Sequence, residues 1–131
     1  MSGSPLPLEI VDLRTTLFTR RGEMKAVDGL SLSVGAGETV ALVGESGCGK
    51  SLSALSVMRL LPDPPARIVG GQVKLNGRDI VPLPEETMLD IRGKEIGMIF
   101  QDPISSLNPV ATVEKQIVEV LMTHTDLGRG Q

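Results

Sequence analysis

Aromatic residues are nearly missing from this sequence: two Phe, no Trp and no Tyr among 131 residues. Any core must therefore be aliphatic. Basic excess is missing too, with 13 Lys and Arg against 16 Asp and Glu and a net charge of −3. With no basic patch and no interleaved aromatics, direct binding of nucleic acid is disfavoured. The single cysteine, Cys48, excludes an internal disulfide and fits a reducing compartment. One His and one Cys all but exclude a zinc site. No apolar run approaches the roughly 18 residues that cross a bilayer. The start, Met1-Ser2-Gly3-Ser4-Pro5, lacks a charged region followed by an apolar stretch, so no signal peptide is expected.

Glycine, by contrast, is placed where it can carry chemistry. Gly44-Glu45-Ser46-Gly47-Cys48-Gly49-Lys50-Ser51 has the phosphate-loop form G-x-x-x-x-G-K-[ST]. An apolar run, Thr39-Val40-Ala41-Leu42-Val43, precedes it, and a helix-patterned stretch over 52–61 follows. Strand, glycine-rich turn and helix start is the context the motif needs. Glycines let successive N–H groups converge on an anion. The helix start adds unpaired N–H groups and a positive dipole end. Lys50 is a point charge for the β- and γ-phosphates, and the Ser51 hydroxyl suits Mg²⁺. A nucleoside triphosphate with Mg²⁺ is the expected ligand. The side chain of Cys48 is incidental, since the loop binds through its backbone.

Around the loop, the pattern predicts an α/β fold. Residues 1–7 read as a disordered Ser/Pro/Gly tail. Segments 8–18 and 24–34 read as strands joined by a hairpin turn at Arg20-Arg21-Gly22-Glu23. Leu30, Leu32 and Val34 alternate with Ser31 and Ser33, as in a half-buried strand. Gly35-Ala36-Gly37-Glu38 is a second turn. The unalternating run 39–43 predicts a strand buried on both faces, as in a parallel sheet. The following helix is expected to put Leu52, Leu55 and Met58 on one face and to stop at Pro62, before a stiff Pro-rich loop. Strands are expected at 72–76 and 78–81 around an Asn76-Gly77 turn, and a short helix at 84–92 ahead of Gly93. A further strand is expected at 95–100 and a polar loop at 101–109. Thr112 is the expected N-cap of a last helix, with Val113, Ile117, Val120 and Leu121 as its apolar stripe. His124 reads as a residue of that helix. Lys74, Arg78 and Lys94 read as solvated surface.

Three stretches together carry a resemblance. They are the phosphate loop, the segment Lys25-Ala26-Val27-Asp28-Gly29-Leu30-Ser31-Leu32, and the segment Ile96-Gly97-Met98-Ile99-Phe100-Gln101-Asp102-Pro103-Ile104-Ser105-Ser106-Leu107-Asn108-Pro109. The chain resembles the ATP-binding subunits of ABC transporters, and within them the oligopeptide/dipeptide and nickel importer branch. The Phe-Gln-Asp-Pro…Ser-Leu-Asn-Pro stretch is its most branch-specific piece. The resemblance implies a P-loop NTPase core of the ABC ATPase kind with an N-terminal antiparallel β-subdomain. Residues 8–131 would form part of such a domain, with a helical subdomain beginning near 110.

The same resemblance makes Gln101 the glutamine of the Q-loop, which reaches toward Mg²⁺ and the attacking water and faces the membrane subunits. The residue type agrees: an amide at the end of a core strand can orient a water. The family stacks an aromatic on adenine from the first hairpin, where Phe18 is the candidate, with Leu17 beside it. Implied partners are two transmembrane permease subunits and a second ATP-binding subunit. The implied location is the cytoplasmic face of the inner membrane, and the implied function is uptake of dipeptides or oligopeptides coupled to ATP hydrolysis. The family's Leu-Ser-Gly-Gly-Gln signature, its Asp-Glu after a second core strand and its switch histidine have no counterpart among the 131 residues. The chain alone is therefore expected to bind nucleotide without turning it over, as an N-terminal part. A soluble ABC ATPase outside transport, or a non-catalytic nucleotide-binding fragment, are the alternative readings.

Overall fold

Thr19 closes the first hairpin with its own hydroxyl, donating to the Gly22 carbonyl at 2.9 Å and accepting from Arg21 N–H at 3.3 Å. The two strands it joins are β1 (Leu8–Thr19) and β2 (Gly22–Val34), in a computed structural model that describes residues 3–128. Two further strands follow, β3 (Ala66–Leu75) and β4 (Arg78–Asp79), giving an antiparallel sheet in the order β2-β1-β3-β4. One helix, α1 (Lys50–Met58), packs on β1 and β2. This first unit extends to Leu83. As expected from the composition, its core is aliphatic: Ile10, Leu13, Val27, Ala66, Val73, Leu75 and Ile80 are buried, as are Val57 and Met58 of the helix.

The Asn76-Gly77 turn has positive φ at both residues, 49° and 83°, the two-residue geometry whose twist matches the flanking strands. β3 begins at Ala66, well before the expected residue 72. The Gly70-Gly71 pair hides the strand in the sequence but is needed in the sheet. Val11 pairs with Gln72 and Arg14 with Gly70, so Asp12 and Leu13 stand opposite Gly71 alone. That is a β-bulge. Gly71 has φ +86°, and a Cβ there would lie 2.3 Å from the Asp12 carbonyl oxygen. On the exposed face of the bulge, Arg14 binds Asp12 at 2.9 Å and Asp28 at 2.7 Å. The hydrogen bond and charge of Asp12, with the charge of Asp28, raise the Arg14 guanidinium above its usual range. It is cationic at any pH the fold meets.

The buried face of α1 differs from the expected one. Ser53, Ser56, Val57 and Met58 are buried, whereas Leu52 and Leu55 are only half-buried. Both serines fit inside because their hydroxyls are bonded: Ser53 to the Gly49 carbonyl at 2.8 Å and Ser56 to the Leu52 carbonyl at 2.6 Å. Ser56 also meets the Thr15 hydroxyl of β1 at 2.8 Å, with both residues fully buried. Arg59, in the left-handed region at φ 52°, ends the helix and donates to the carbonyls of Ile80 and Leu83.

The second unit, from Pro84 on, holds α2 (Glu85–Ile91), a 3₁₀ turn (Ile104–Ser106) and α3 (Val113–His124). Glu85 and Arg92 form an ion pair along α2, and Gly93 at φ +84° turns the chain after it. Thr112 caps α3, accepting from Lys115 N–H at 3.2 Å as its position predicts. The stripe of Val113, Ile117, Val120 and Leu121 is on one side of α3 but stands 45–59% exposed.

Two expected strands are absent. Residues 39–43 and 97–100 carry no ladder and no regular secondary structure; the only bridge nearby joins Arg92 and Ile96. A buried parallel strand exists only between neighbours. Among the described residues none flanks these runs, and Val43 and Ile99 are 87% and 90% exposed.

Candidate functional site

The phosphate-loop sequence leads directly into α1. Gly49 is the residue before the helix, with φ 94°, and its carbonyl accepts the Ser53 N–H at 2.8 Å. Donors that precede Ser53 in the first turn, on Lys50, Ser51 and Leu52, have no acceptor within the helix by its geometry. They mark one end of a dipole that favours an anion. Gly49 has a second task. A Cβ there would lie 2.3 Å from the Ala26 carbonyl oxygen of β2, so only glycine lets the loop sit this close to the sheet. Gly47, at φ +83°, faces open space. The loop is thus held from below by β2 and open above.

Lys50 is half-buried and folds back over the loop. Its ammonium donates to the Gly44 carbonyl at 2.5 Å and the Glu45 carbonyl at 2.7 Å, and lies 3.4 Å from Cys48 Sγ. Cys48 N–H donates to the Glu45 carbonyl at 3.2 Å, closing the turn around Ser46 and Gly47. Gly44 is the floor for the cysteine: a Cβ on it would meet Cys48 Sγ at 2.4 Å. The Cys48 side chain is therefore packed inside the loop while still exposed to solvent. Ser51 and Glu45 are exposed. Beside the loop lies a cavity of about 260 Å³ between β2 and residues 42–50, lined by Ala26, Val27, Asp28, Leu42, Cys48 and Lys50 among others.

Phe18 is 42% exposed at the turn end of β1, so it is not a core residue. It pairs with Glu23 across the hairpin, three residues along β2 from Ala26, or roughly 10 Å at the ordinary strand rise. Its N–H donates to the Pro65 carbonyl at 2.7 Å, which fixes the backbone and leaves the ring outside. Gln101 belongs to the second unit, on an exposed segment that follows no strand. The expectation of a core strand ahead of it is corrected with that strand. Among the described residues there is no cluster of three or more His, Cys, Asp or Glu able to hold a metal. Among them, too, no helix is long and apolar enough to cross a membrane.

Sequence reasoning overlooked the residues that place the loop. Thr15 and Ser56 bear no motif, and Ala26, inside a stretch that carries the resemblance, is given no role by it. The one available signal was two serines, Ser53 and Ser56, three apart on a helix that follows a phosphate loop. It also overlooked Gln116, which holds the end of the 101–112 segment.

Comparison with known proteins agrees with this fold. The chain is 48% identical over 122 residues to the oligopeptide transport ATP-binding protein OppD of Bacillus subtilis (strain 168), covering 93% of this chain and 34% of that protein. It is 44% identical to the probable peptide ABC transporter ATP-binding protein y4tR of Sinorhizobium fredii (strain NBRC 101917 / NGR234), covering 96% and 38% respectively. It spans little more than a third of the length of these relatives. A bacterial ABC transporter cassette solved as a dimer superposes with a TM-score of 0.79 at 22% identity, over 94% of this chain and 50% of that one. That likeness gives the fold: an ABC ATPase core with its N-terminal antiparallel sheet. With the ABC transporter family profile matching residues 27–129, the chain belongs to the ABC transporter family.

Proposed function

We propose that this chain is the nucleotide-binding portion of the ATP-binding component of a peptide importer, in which ATP hydrolysis drives uptake of dipeptides or oligopeptides. The observation that carries the reading is the loop Gly44–Ser51, seated against β2 at the start of α1 by Gly49. It occurs in a chain whose relatives are named as oligopeptide and peptide transport ATP-binding proteins.

The ABC ATPase family takes ATP with Mg²⁺, and the residues present suit both. The first-turn N–H groups of Lys50, Ser51 and Leu52 have no acceptor within α1 and, with the positive dipole end, suit an anion. Lys50, now bonded to two carbonyls, would exchange these neutral acceptors for charged phosphate oxygens. Mg²⁺ keeps most of its waters and needs one or two protein oxygens, so the exposed Ser51 hydroxyl is enough from this loop. Mg²⁺-ATP supplies an electrophilic γ-phosphorus and a diphosphate leaving group. By the family resemblance, Gln101 would orient the attacking water and bind toward Mg²⁺ through its amide. The exposed ring of Phe18 would stack on adenine.

The partners in this reading are two transmembrane permease subunits and a second ATP-binding subunit, on the cytoplasmic face of the inner membrane. The test is titration of the chain with a fluorescent ATP analogue in Mg²⁺. Lys50→Ala is expected to weaken binding by about 1.5–3 kcal/mol, the scale of a hydrogen bond to a charged group. Equal affinity of wild type and variant would refute the assignment.

A further inference from the structure

Gln116 bonds several backbone groups of the second unit, and no motif points to it. It sits in the first turns of α3, half-buried, on a helix whose apolar stripe is exposed. Its Oε1 accepts the Asn108 N–H at 2.8 Å. Its Nε2 donates to the Asn108 carbonyl at 3.1 Å and the Ala111 carbonyl at 3.0 Å, with the Thr112 carbonyl at 3.4 Å. A primary amide has two N–H donors, so the first two are the principal bonds.

The carboxamide thereby acts as a peptide unit. It meets both the N–H and the C=O of Asn108, as a neighbouring strand would. The turn it grips is already built locally. Asn108 Oδ1 accepts the Val110 N–H at 3.1 Å, and Ala111 N–H donates to the Asn108 carbonyl at 3.2 Å. Asn at the first position and Pro109 at the second suit a type I turn. What the turn lacks by itself is an attachment. Residues 101–110 are all exposed and have no ladder. One side chain on α3 anchors their C-terminal end.

We infer that Gln116 is a positioning residue: its amide fixes the Asn108–Thr112 turn to α3 and so sets the loop that begins at Gln101. The inference deepens the proposed function and rests on its reading of that loop as the link between nucleotide and membrane subunits. Binding chemistry stays with the phosphate loop. Gln116 governs how a nucleotide-dependent shift at Gln101 is passed on, through a loop with one fixed end. When the anchor is cut, the loop's exposed backbone groups turn to water and the rest of the fold has little reason to change.

The experiment uses the full-length protein in its assembled transporter. Hydrogen exchange is followed over residues 102–112, with fluorescent-ATP affinity and peptide transported per ATP hydrolysed. Gln116→Ala is expected to speed exchange at Asn108 at least tenfold and to lower transport per ATP at least fivefold. ATP affinity should stay within twofold. Gln116→Glu keeps the acceptor for Asn108 N–H but turns a carboxylate oxygen on the carbonyls, so it should also lose coupling. Gln116→Met, which fills the space without an amide, should match Gln116→Ala. A merely structural role would lower affinity and coupling together, or would be rescued by Gln116→Met, and either result overturns the inference. Unchanged exchange at Asn108 removes the anchor, and faster exchange with unchanged transport per ATP removes the positioning role. Failure of the underlying reading shows separately, as a wild-type protein that binds no fluorescent ATP; coupling then falls with it, and Asn108 exchange alone judges the anchor.

Discussion

The buried hydroxyl pair of Thr15 and Ser56 allows a prediction in which the hydrogens can be counted. Ser56 has one O–H, and it is donated to the Leu52 carbonyl at 2.6 Å. The 2.8 Å contact between the hydroxyls must then use the Thr15 hydrogen, with Ser56 Oγ accepting. The two side chains are therefore unequal. Removing the Thr15 hydroxyl with Thr15→Val leaves Ser56 still bonded to Leu52, so the loss is one ordinary net hydrogen bond, about 0.5–1.5 kcal/mol. Removing Ser56 with Ser56→Ala leaves the Thr15 hydroxyl fully buried with its donor unpaired. That incurs a desolvation penalty of about 1–3 kcal/mol. In the double variant the orphan is gone, so its total should fall below the sum of the singles, a coupling of about 0.5–3 kcal/mol for groups in contact. Urea unfolding of the four proteins, with unchanged slope, measures all three quantities. A Thr15→Val protein less stable than Ser56→Ala, or strictly additive effects, would refute this direction of donation and with it the role of the pair in seating α1.

Three further outcomes are expected. Gly49→Ala, at φ +94° with a Cβ 2.3 Å from a backbone oxygen, should cost about 1–3 kcal/mol of stability and weaken ATP-analogue binding; Gly47→Ala, at φ +83° in open space, should cost less, and the reverse order in thermal melts would refute the close approach to Ala26. Phe18→Ala should lower affinity for the ATP analogue by about 0.5–1.5 kcal/mol, the scale of an aromatic pair, while leaving inorganic pyrophosphate affinity alone; an unchanged ATP affinity in a folded variant returns the role to Leu17 or to neither. Gln101→Ala should reduce transport in the assembled system more than ATP binding, and a cross-linker on Ser105 or Ser106 should reach a permease subunit; transport and binding falling in proportion would refute a relay through this loop.

What the sequence revealed was local. The 76–77 turn, the Thr112 cap, the hairpin at 20–21 and the glycine before α1 depend on a few adjacent residues whose conformational preferences decide the outcome. β3 was half-hidden because its first six residues contain Gly70-Gly71, which ordinarily weakens a strand. Only the partner explains it: Asp12 and Leu13 bulge toward Gly71, and the small residue is what β1 requires. The α1 face was misread for a related reason. Serines count as polar in a periodicity, yet Ser53 and Ser56 bond back to their own helix, so their burial leaves no donor without a partner. Leucines read as core at 52 and 55 are left half out because Thr15 and the close backbone of Ala26 set the rotation of the helix instead.

The phosphate loop and the Gln101 loop then differ in what fixes them. The first is legible and well placed because its anchors are close by: a positive-φ glycine, a helix start and a strand that approaches within one backbone contact. It needs no strand at 39–43 to hold its turn, and it keeps its form although Val43 is 87% exposed. Gln101 was legible only by resemblance. Its expected support, a core strand over 95–100, requires sheet neighbours that no described residue provides, and Phe100 just before it is 44% exposed. The side chain that does hold this region, Gln116, acts from the far end of the loop across eight residues. A motif search weighs the residue that meets the ligand. The hydrogen bonds tie the loop's C-terminal end to a glutamine fifteen residues after Gln101, whose amide is directed at backbone.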